Sequence, residues 1–171
     1  MILVSIGANL ATPDGTPPLE TCREAAAALD RLPGLRLRGL SRWYRTAPVL
    51  AEGQDAASQP FYVNGVADLV SQSDIEIDPA WLLAELMRLE AAAGRVRSSP
   101  NAPRPLDLDI IAIGDLLRDH PDPILPHPRA HQRAFVLVPL AEVAPGWVHP
   151  RLRRSVEALI SELPPQDIAP L

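Results

Sequence analysis

The 171-residue sequence contains no lysine; all 16 of its basic side chains are arginine. Against 21 acidic side chains they leave a formal charge of −5 and a pI near 5.3. That balance argues against a protein whose main business is nucleic acid, and any polyanion it binds must meet a local basic patch. A single cysteine, Cys22, rules out an internal disulfide framework. It falls at a helical core spacing and reads as an inert buried thiol. No apolar run approaches the ~20 residues of a membrane span, and MILVSIGANL is too short for a signal segment with a basic flank. The expected location is therefore the cytoplasm. A phosphate-binding glycine loop is also missing, because Gly7-Ala8-Asn9-Leu10 lacks its spacing. No internal repeat is visible. The 20 prolines and many alanines point to a biased composition, so the abundance of arginine carries little weight by itself.

What is present suits one globular domain. Hydrophobic residues make up 47% of the chain, enough for a single sizeable core. Met1 to Ile6 reads as an opening strand. Thr16 precedes Pro17 at a helix start, Leu19, Cys22, Ala26 and Leu29 recur at helical spacing, and Pro33-Gly34 ends the helix. Leu35 to Tyr44 and Phe61 to Val70 read as strands. Asp78 caps a second helix with Pro79 at its first position, and Gly94 fits the residue after its end. A strand over Leu106 to Ile113 follows, then helices near Arg129 to Glu142 and Ser155 to Leu163. The order strand, helix, strand, strand, helix, strand is that of the ferredoxin-like split βαβ unit. The expected fold is α+β, with an antiparallel sheet and additional C-terminal helices. One domain spans 1–163, and the proline-rich tail 164–171 is expected to fray.

The chain is organised around Gly94 to Ile113, GRVRSSPNAPRPLDLDIIAI. On a strand, Asp107 and Asp109 share one face, roughly 6.7 Å apart along the backbone, while Leu106, Leu108 and Ile110 face the other way. An acidic pair on a strand is most often a solvated sheet face. Here the apolar Ile110-Ile111-Ala112-Ile113 follows at once, which suggests a strand buried on both faces with the carboxylates at its mouth. Like charges placed there repel unless a cation neutralises them. Mg²⁺ takes one or two carboxylates plus substrate phosphates, and Arg95, Arg97 and Arg104 can grip phosphate in fork geometry. The combination suggests a site for Mg²⁺ and a nucleoside triphosphate.

Four blocks then share a resemblance: RWYRTAPV at Arg42–Val49, QPFYVN at Gln59–Asn64, APRPLDLDII at Ala102–Ile111 and LPHPRAHQRAFVLVPL at Leu125–Leu140. In this order and spacing the chain resembles the 6-hydroxymethyl-7,8-dihydropterin pyrophosphokinases, from Ser5 to Pro150. The resemblance implies transfer of pyrophosphate from ATP to the pterin's hydroxymethyl group, giving AMP, in folate biosynthesis. It implies that Asp107 and Asp109 hold two Mg²⁺ ions, and that Arg95, Arg97 and Arg104 serve the transferring phosphates. Glu90, Arg97, Arg104, Ile110, His127 and Arg133 would contact ATP. Thr46, Pro48, Val49, Tyr62, Asn64 and Phe135 would form the pterin pocket, Tyr62 and Phe135 lying on either side of the ring. Taken alone, His127 and Phe135 are as well explained as structural residues; Tyr62 and Asn64, sharing a strand face, are less so. Trp43, Trp81 and Trp147 are assigned to packing.

One departure stands out. The best-known members carry an Arg-Trp pair in the loop before Gly-Pro-Arg, where this chain has Ser98-Ser99-Pro100-Asn101-Ala102-Pro103. That loop, Arg95 to Arg104, has no apolar anchor and is expected to be mobile and to close over MgATP as a lid. ATP and the pterin are the expected partners, with no nucleic acid, no membrane and a monomeric protein. A ferredoxin-like RNA binder stacking bases on Phe61 and Tyr62 is disfavoured by the acidic balance and by the Asp107–Asp109 pair.

Overall fold

A computed structural model describes residues 1–50, 52–55, 57, 59–96 and 102–171. At its centre is an antiparallel sheet whose middle strand is β4 (Tyr62–Ser71). On one side β4 pairs with β1 (Ile2–Ala8), which pairs in turn with β5 (Asp107–Ile113). On the other side it pairs with β2 (Leu35–Leu40) and, further along, with β3 (Tyr44–Thr46). The single strand expected over Leu35 to Tyr44 is thus two short strands. A register shift between Leu37 and Gly39 comes just before the break. With β2 and β3 counted as one position, the order β5-β1-β4-β2/β3 is that of the split βαβ unit.

Alternation along the strands feeds two cores. Ile2, Val4 and Ile6 of β1 and Leu108 and Ile110 of β5 pack with Cys22, Ala26 and Leu29 of α1 (Pro18–Leu29) and Leu82 and Leu86 of α2 (Pro79–Ala92). Leu3, Val66 and Ile111 pack on the opposite face with Val136, Leu137 and Leu140 of α3 (Ala134–Val143) and Val156 and Leu159 of α4 (Val156–Glu162). Strand β5 is therefore buried on both faces, as its apolar run suggests, although it lies at the edge of the sheet.

The helix ends follow their local chemistry. Asp78 accepts the Ala80 N–H at 3.0 Å at the start of α2, and Ser155 caps α4 through the Ala158 N–H at 3.2 Å. Gly94 follows α2 with φ +91°, a conformation that costs glycine little. Helix α1 begins one residue later than expected, with Pro17 at the cap and Pro18 first. Cys22 is fully buried, and burial pushes its thiol up to about 12, so it is inert. Trp147 is buried, and Trp43 and Trp81 pack against the first core.

Two further expectations need correction. The helix placed over Arg129 to Glu142 opens with one 3₁₀ turn, Ala130–Gln132. It breaks at Arg133 (φ −120°, ψ 111°) before α3 starts. The tail from Pro164 does not fray. Its residues Ile168–Pro170 form a sixth strand, β6, antiparallel to β3 with Ile168 opposite Thr46 and Pro170 opposite Tyr44. Hydropathy alone marks the tail as polar and proline-rich. The open edge of β3 gives its backbone hydrogen bonds somewhere to go.

Candidate active site

The acidic pair sits where the sheet register predicts. Asp107 lies opposite Gly7 and Asp109 opposite Ser5, on the face that also carries Leu3. One strand further on, Gly7 lies opposite Asn64. A Cβ at position 7 would come within 2.5 Å of Asn64 Oδ1, so only glycine allows the amide to lie there. Asn64 is buried, and its Nδ2 donates to Thr46 Oγ1 at 2.6 Å. Asp107, Asn64 and Thr46 thus form a polar row across β5, β4 and β3, with Gly7 as the gap between them.

Around the acids stands a ring of arginines. Arg95, just beyond α2, binds Glu90 and also Asp107 Oδ1, the latter at 2.7 Å. Arg104 Nη1 reaches the same Asp107 oxygen at 3.3 Å. Glu90 is buried near the end of α2, and its Oε1 accepts the Leu108 N–H at 3.2 Å. Burial raises the Glu90 carboxyl above its usual range, against the pull of Arg95. Arg104 is also fixed through its backbone: its N–H donates to Asn9 Oδ1 at 2.9 Å, and its carbonyl accepts the Asn9 N–H at 3.2 Å. Asn9 Nδ2 reaches the Pro60 carbonyl at 3.3 Å, so Asn9 links the start of β5 to the approach to β4.

Asp109 and His127 form the other half of the site. Burial, and then the charge of Asp107, push Asp109 up to about 6. Burial, and then Arg133 and Arg129, push His127 down to about 4. The His127 backbone N–H donates to the Ile111 carbonyl at 2.9 Å, and the ring Nδ1 accepts the Arg129 backbone N–H at 3.1 Å. A neutral imidazole with Nδ1 as acceptor carries its proton on Nε2, and that atom lies 3.8 Å from Asp109 Oδ2. Arg133 sits over the Phe135 ring, its Cζ 5.4 Å from the centroid.

The two aspartates, Glu90, the arginines, Thr46, Asn64, His127 and Phe135 line one cavity of about 450 Å³. Of the residues singled out from sequence, Thr46, Val49, Tyr62, Asn64, Glu90, Arg95, Arg104, Asp107, Asp109, Ile110, His127, Arg133 and Phe135 are brought together there. Pro48 lines an adjoining hollow that shares Thr46, Val49, Arg133 and Phe135. Arg97 and the loop 97–101 lie outside the described residues, so the lid expectation does too. Sequence reasoning missed Arg129, Leu83, Met87 and Asp122 in the lining. It also missed Asn9, which fixes Arg104. Arg129 falls inside the block Leu125–Leu140 already singled out.

The donor set suits a hard cation bound together with phosphate. Among the described residues, no group of three or more His, Cys, Asp or Glu is placed to hold a metal by itself. Two carboxylates on one strand face, one of them raised by burial and then by its neighbour's charge, fit Mg²⁺ with substrate oxygens completing the shell. Among the described residues no helix is long and apolar enough to cross a membrane.

Residues 3–145 match the family model described as 7,8-dihydro-6-hydroxymethylpterin-pyrophosphokinase (HPPK). A 2-amino-4-hydroxy-6-hydroxymethyldihydropteridine pyrophosphokinase of Pseudomonas aeruginosa is 40% identical over 158 residues, 92% of this chain and 89% of that protein. Proteins of the same name from Synechocystis (35% over 161 residues, 94% and 75%) and Haemophilus influenzae (35% over 147 residues, 86% and 83%) are also similar. With a family model matching most of its length and relatives 35–40% identical over most of both chains, the chain belongs to the 7,8-dihydro-6-hydroxymethylpterin-pyrophosphokinase family.

Proposed function

We propose that the 450 Å³ cavity is where this enzyme transfers pyrophosphate from ATP to 6-hydroxymethyl-7,8-dihydropterin. The hydroxymethyl oxygen attacks the β-phosphorus and loses its proton; the bridging oxygen between the α- and β-phosphorus leaves with AMP. The single observation that carries this reading is the convergence, in that cavity, of an acidic pair, a cationic ring and a half-buried aromatic with a buried amide beside it.

The proposed roles follow from chemistry. Asp107 and Asp109 would hold Mg²⁺, as two ions on the family pattern, which would neutralise phosphate oxygens and keep them in line. Arg95 and Arg104 are positioned by Glu90, Asp107 and Asn9 to receive phosphate charge as it develops. Arg97 is proposed for the same task. Arg133, Ile110 and neutral His127, with its Nε2–H as donor, would complete the ATP side. On the pterin side, Asn64 offers donor and acceptor to a flat heterocycle. Tyr62 and Phe135 offer stacking faces, and Thr46, Pro48 and Val49 close the wall. Catalysis then rests on positioning and charge stabilisation, with no covalent intermediate. We further propose that the chain acts as a monomer in the cytoplasm.

Incubation with MgATP and the dihydropterin, followed by chromatography, tests the activity. AMP and pterin diphosphate should appear one for one; ADP with pterin monophosphate would overturn the reading. Tyr62→Ala and Phe135→Ala should each weaken pterin binding more than ATP binding, because stacking beyond simple burial is worth roughly 0.5–1.5 kcal/mol. Titration of each ligand separately decides the point, and equal losses for both ligands would remove the stacking role.

A further inference from the structure

The C-terminal tail ties together two walls of the cavity through consecutive residues. On one side, Gln166 Oε1 accepts the Ala134 N–H at 2.9 Å, and Gln166 Nε2 donates to the Gln132 carbonyl at 3.0 Å. These are the two peptide groups flanking Arg133, where the chain breaks from the 3₁₀ turn into α3. On the other side, the Asp167 carbonyl accepts the Ala47 N–H at 3.2 Å. Pairing of Ile168 with Thr46 continues the same attachment. Gln166 and Asp167 also line the hollow shared by Val49 and Phe135.

We propose that Gln166 is a positioning residue for the pterin side of the site. It fixes the entry into α3, and so the aim of Phe135, relative to the Thr46–Val49 wall held by Asp167. The proposal rests on the pyrophosphokinase reading of the cavity and extends it to a residue outside the family's matched segment, which ends at 145. The first N–H groups of a helix have no intrahelical partner, and a side chain that accepts one fixes how the chain enters the helix. Arg133 has anchors of its own. Its N–H donates to the Ala130 carbonyl at 3.2 Å, and its carbonyl accepts the Leu137 N–H at 3.0 Å. Loss of Gln166 leaves these two Arg133 bonds in place and frees the Ala134 N–H next to Phe135, so the pterin side suffers more than the ATP side.

The test compares wild type, Gln166→Ala and Gln166→Glu in steady-state turnover and in equilibrium titration with the dihydropterin and with ATP. A neutral hydrogen bond contributes about 1 kcal/mol net, so Gln166→Ala should raise the KM and Kd for the pterin about five-fold while those for ATP stay within about two-fold. Glutamate keeps the acceptor for the Ala134 N–H and carries a charge favoured at a helix N-terminus. It loses the donor to the Gln132 carbonyl, so Gln166→Glu should recover part of the pterin loss, a selective rescue that general loosening of the tail would not predict. Amide exchange at Ala134, faster in Gln166→Ala and restored in Gln166→Glu, reads the contact directly. Wild-type pterin affinity in Gln166→Ala, or equal losses for pterin and ATP, would overturn the proposal. Binding of pterin without turnover in the wild type would strike down the proposed activity and still leave the titrations to decide the role of Gln166.

Discussion

If Asp109 holds Mg²⁺ as proposed, Asp109→Asn is expected to lower turnover by ~10³-fold or more, because a metal ligand is worth several kcal/mol in the transition state. The same substitution is expected to raise the Tm of the metal-free protein. Burial and then Asp107 push the Asp109 carboxyl up to about 6 from its ordinary 3.8. A group raised in the folded state contributes stability that is fully present below its unfolded value and lost as pH rises through its folded value. At pH 7.5 the ionised carboxylate therefore opposes folding, and asparagine relieves it. Asp107→Asn should abolish turnover equally but lower Tm, since Arg95 and Arg104 both lean on its Oδ1. Mg²⁺ and protons compete for Asp109, so a stabilising effect of Mg²⁺ should shrink as pH falls through about 6. Thermal melts of both variants with EDTA and with Mg²⁺ check this; near-normal turnover of either at saturating Mg²⁺ would remove the assignment.

Arg95→Ala should have the second largest effect. Arg95 bridges the buried Glu90 to Asp107, and its loss leaves Glu90 without this counter-charge beside the raised Asp109. Removing one partner from a buried ion pair costs roughly 3–5 kcal/mol of stability, and, on the proposed role of Arg95, losing a preorganised cation costs ~10²-fold or more in kcat. Glu90→Gln with Arg95→Ala should recover part of the stability and none of the turnover. Denaturant titration beside kinetics separates the two. Recovery of turnover in the double variant would show that Arg95 acts only by neutralising Glu90.

How far the site could be read in advance depended on whether its signal was local. Asp107 and Asp109 were legible because strand alternation puts i and i+2 on one face. Gly94 and Asp78 were legible because helix ends have their own chemistry. The glycine at position 7 was visible as a motif letter, but its reason was not: it lies one strand away, in the Asn64 amide that a Cβ would strike. Asn9 makes its contacts with Arg104 and Pro60, 95 and 51 positions away, so no local signal marks it. The tail was misread for the same reason. Polarity and prolines describe its surroundings in solution, and nothing in residues 164–171 announces that β3 leaves an edge open to receive them. Likewise the break at Arg133 interrupts an apolar periodicity that favours an unbroken helix, and it is held by a glutamine 33 residues later.

The most direct measurement of the central claim is an anomalous difference map. It would come from crystals grown with Mn²⁺ in place of Mg²⁺, the inert α,β-methylene analogue of ATP, and the dihydropterin. The account predicts Mn²⁺ density against the carboxylates of Asp107 and Asp109, with the β-phosphorus facing the pterin hydroxymethyl oxygen and the ring between Tyr62 and Phe135. Manganese and triphosphate bound away from the Asp107–Asp109 face, or a pterin outside the Thr46–Asn64–Phe135 wall, would contradict it.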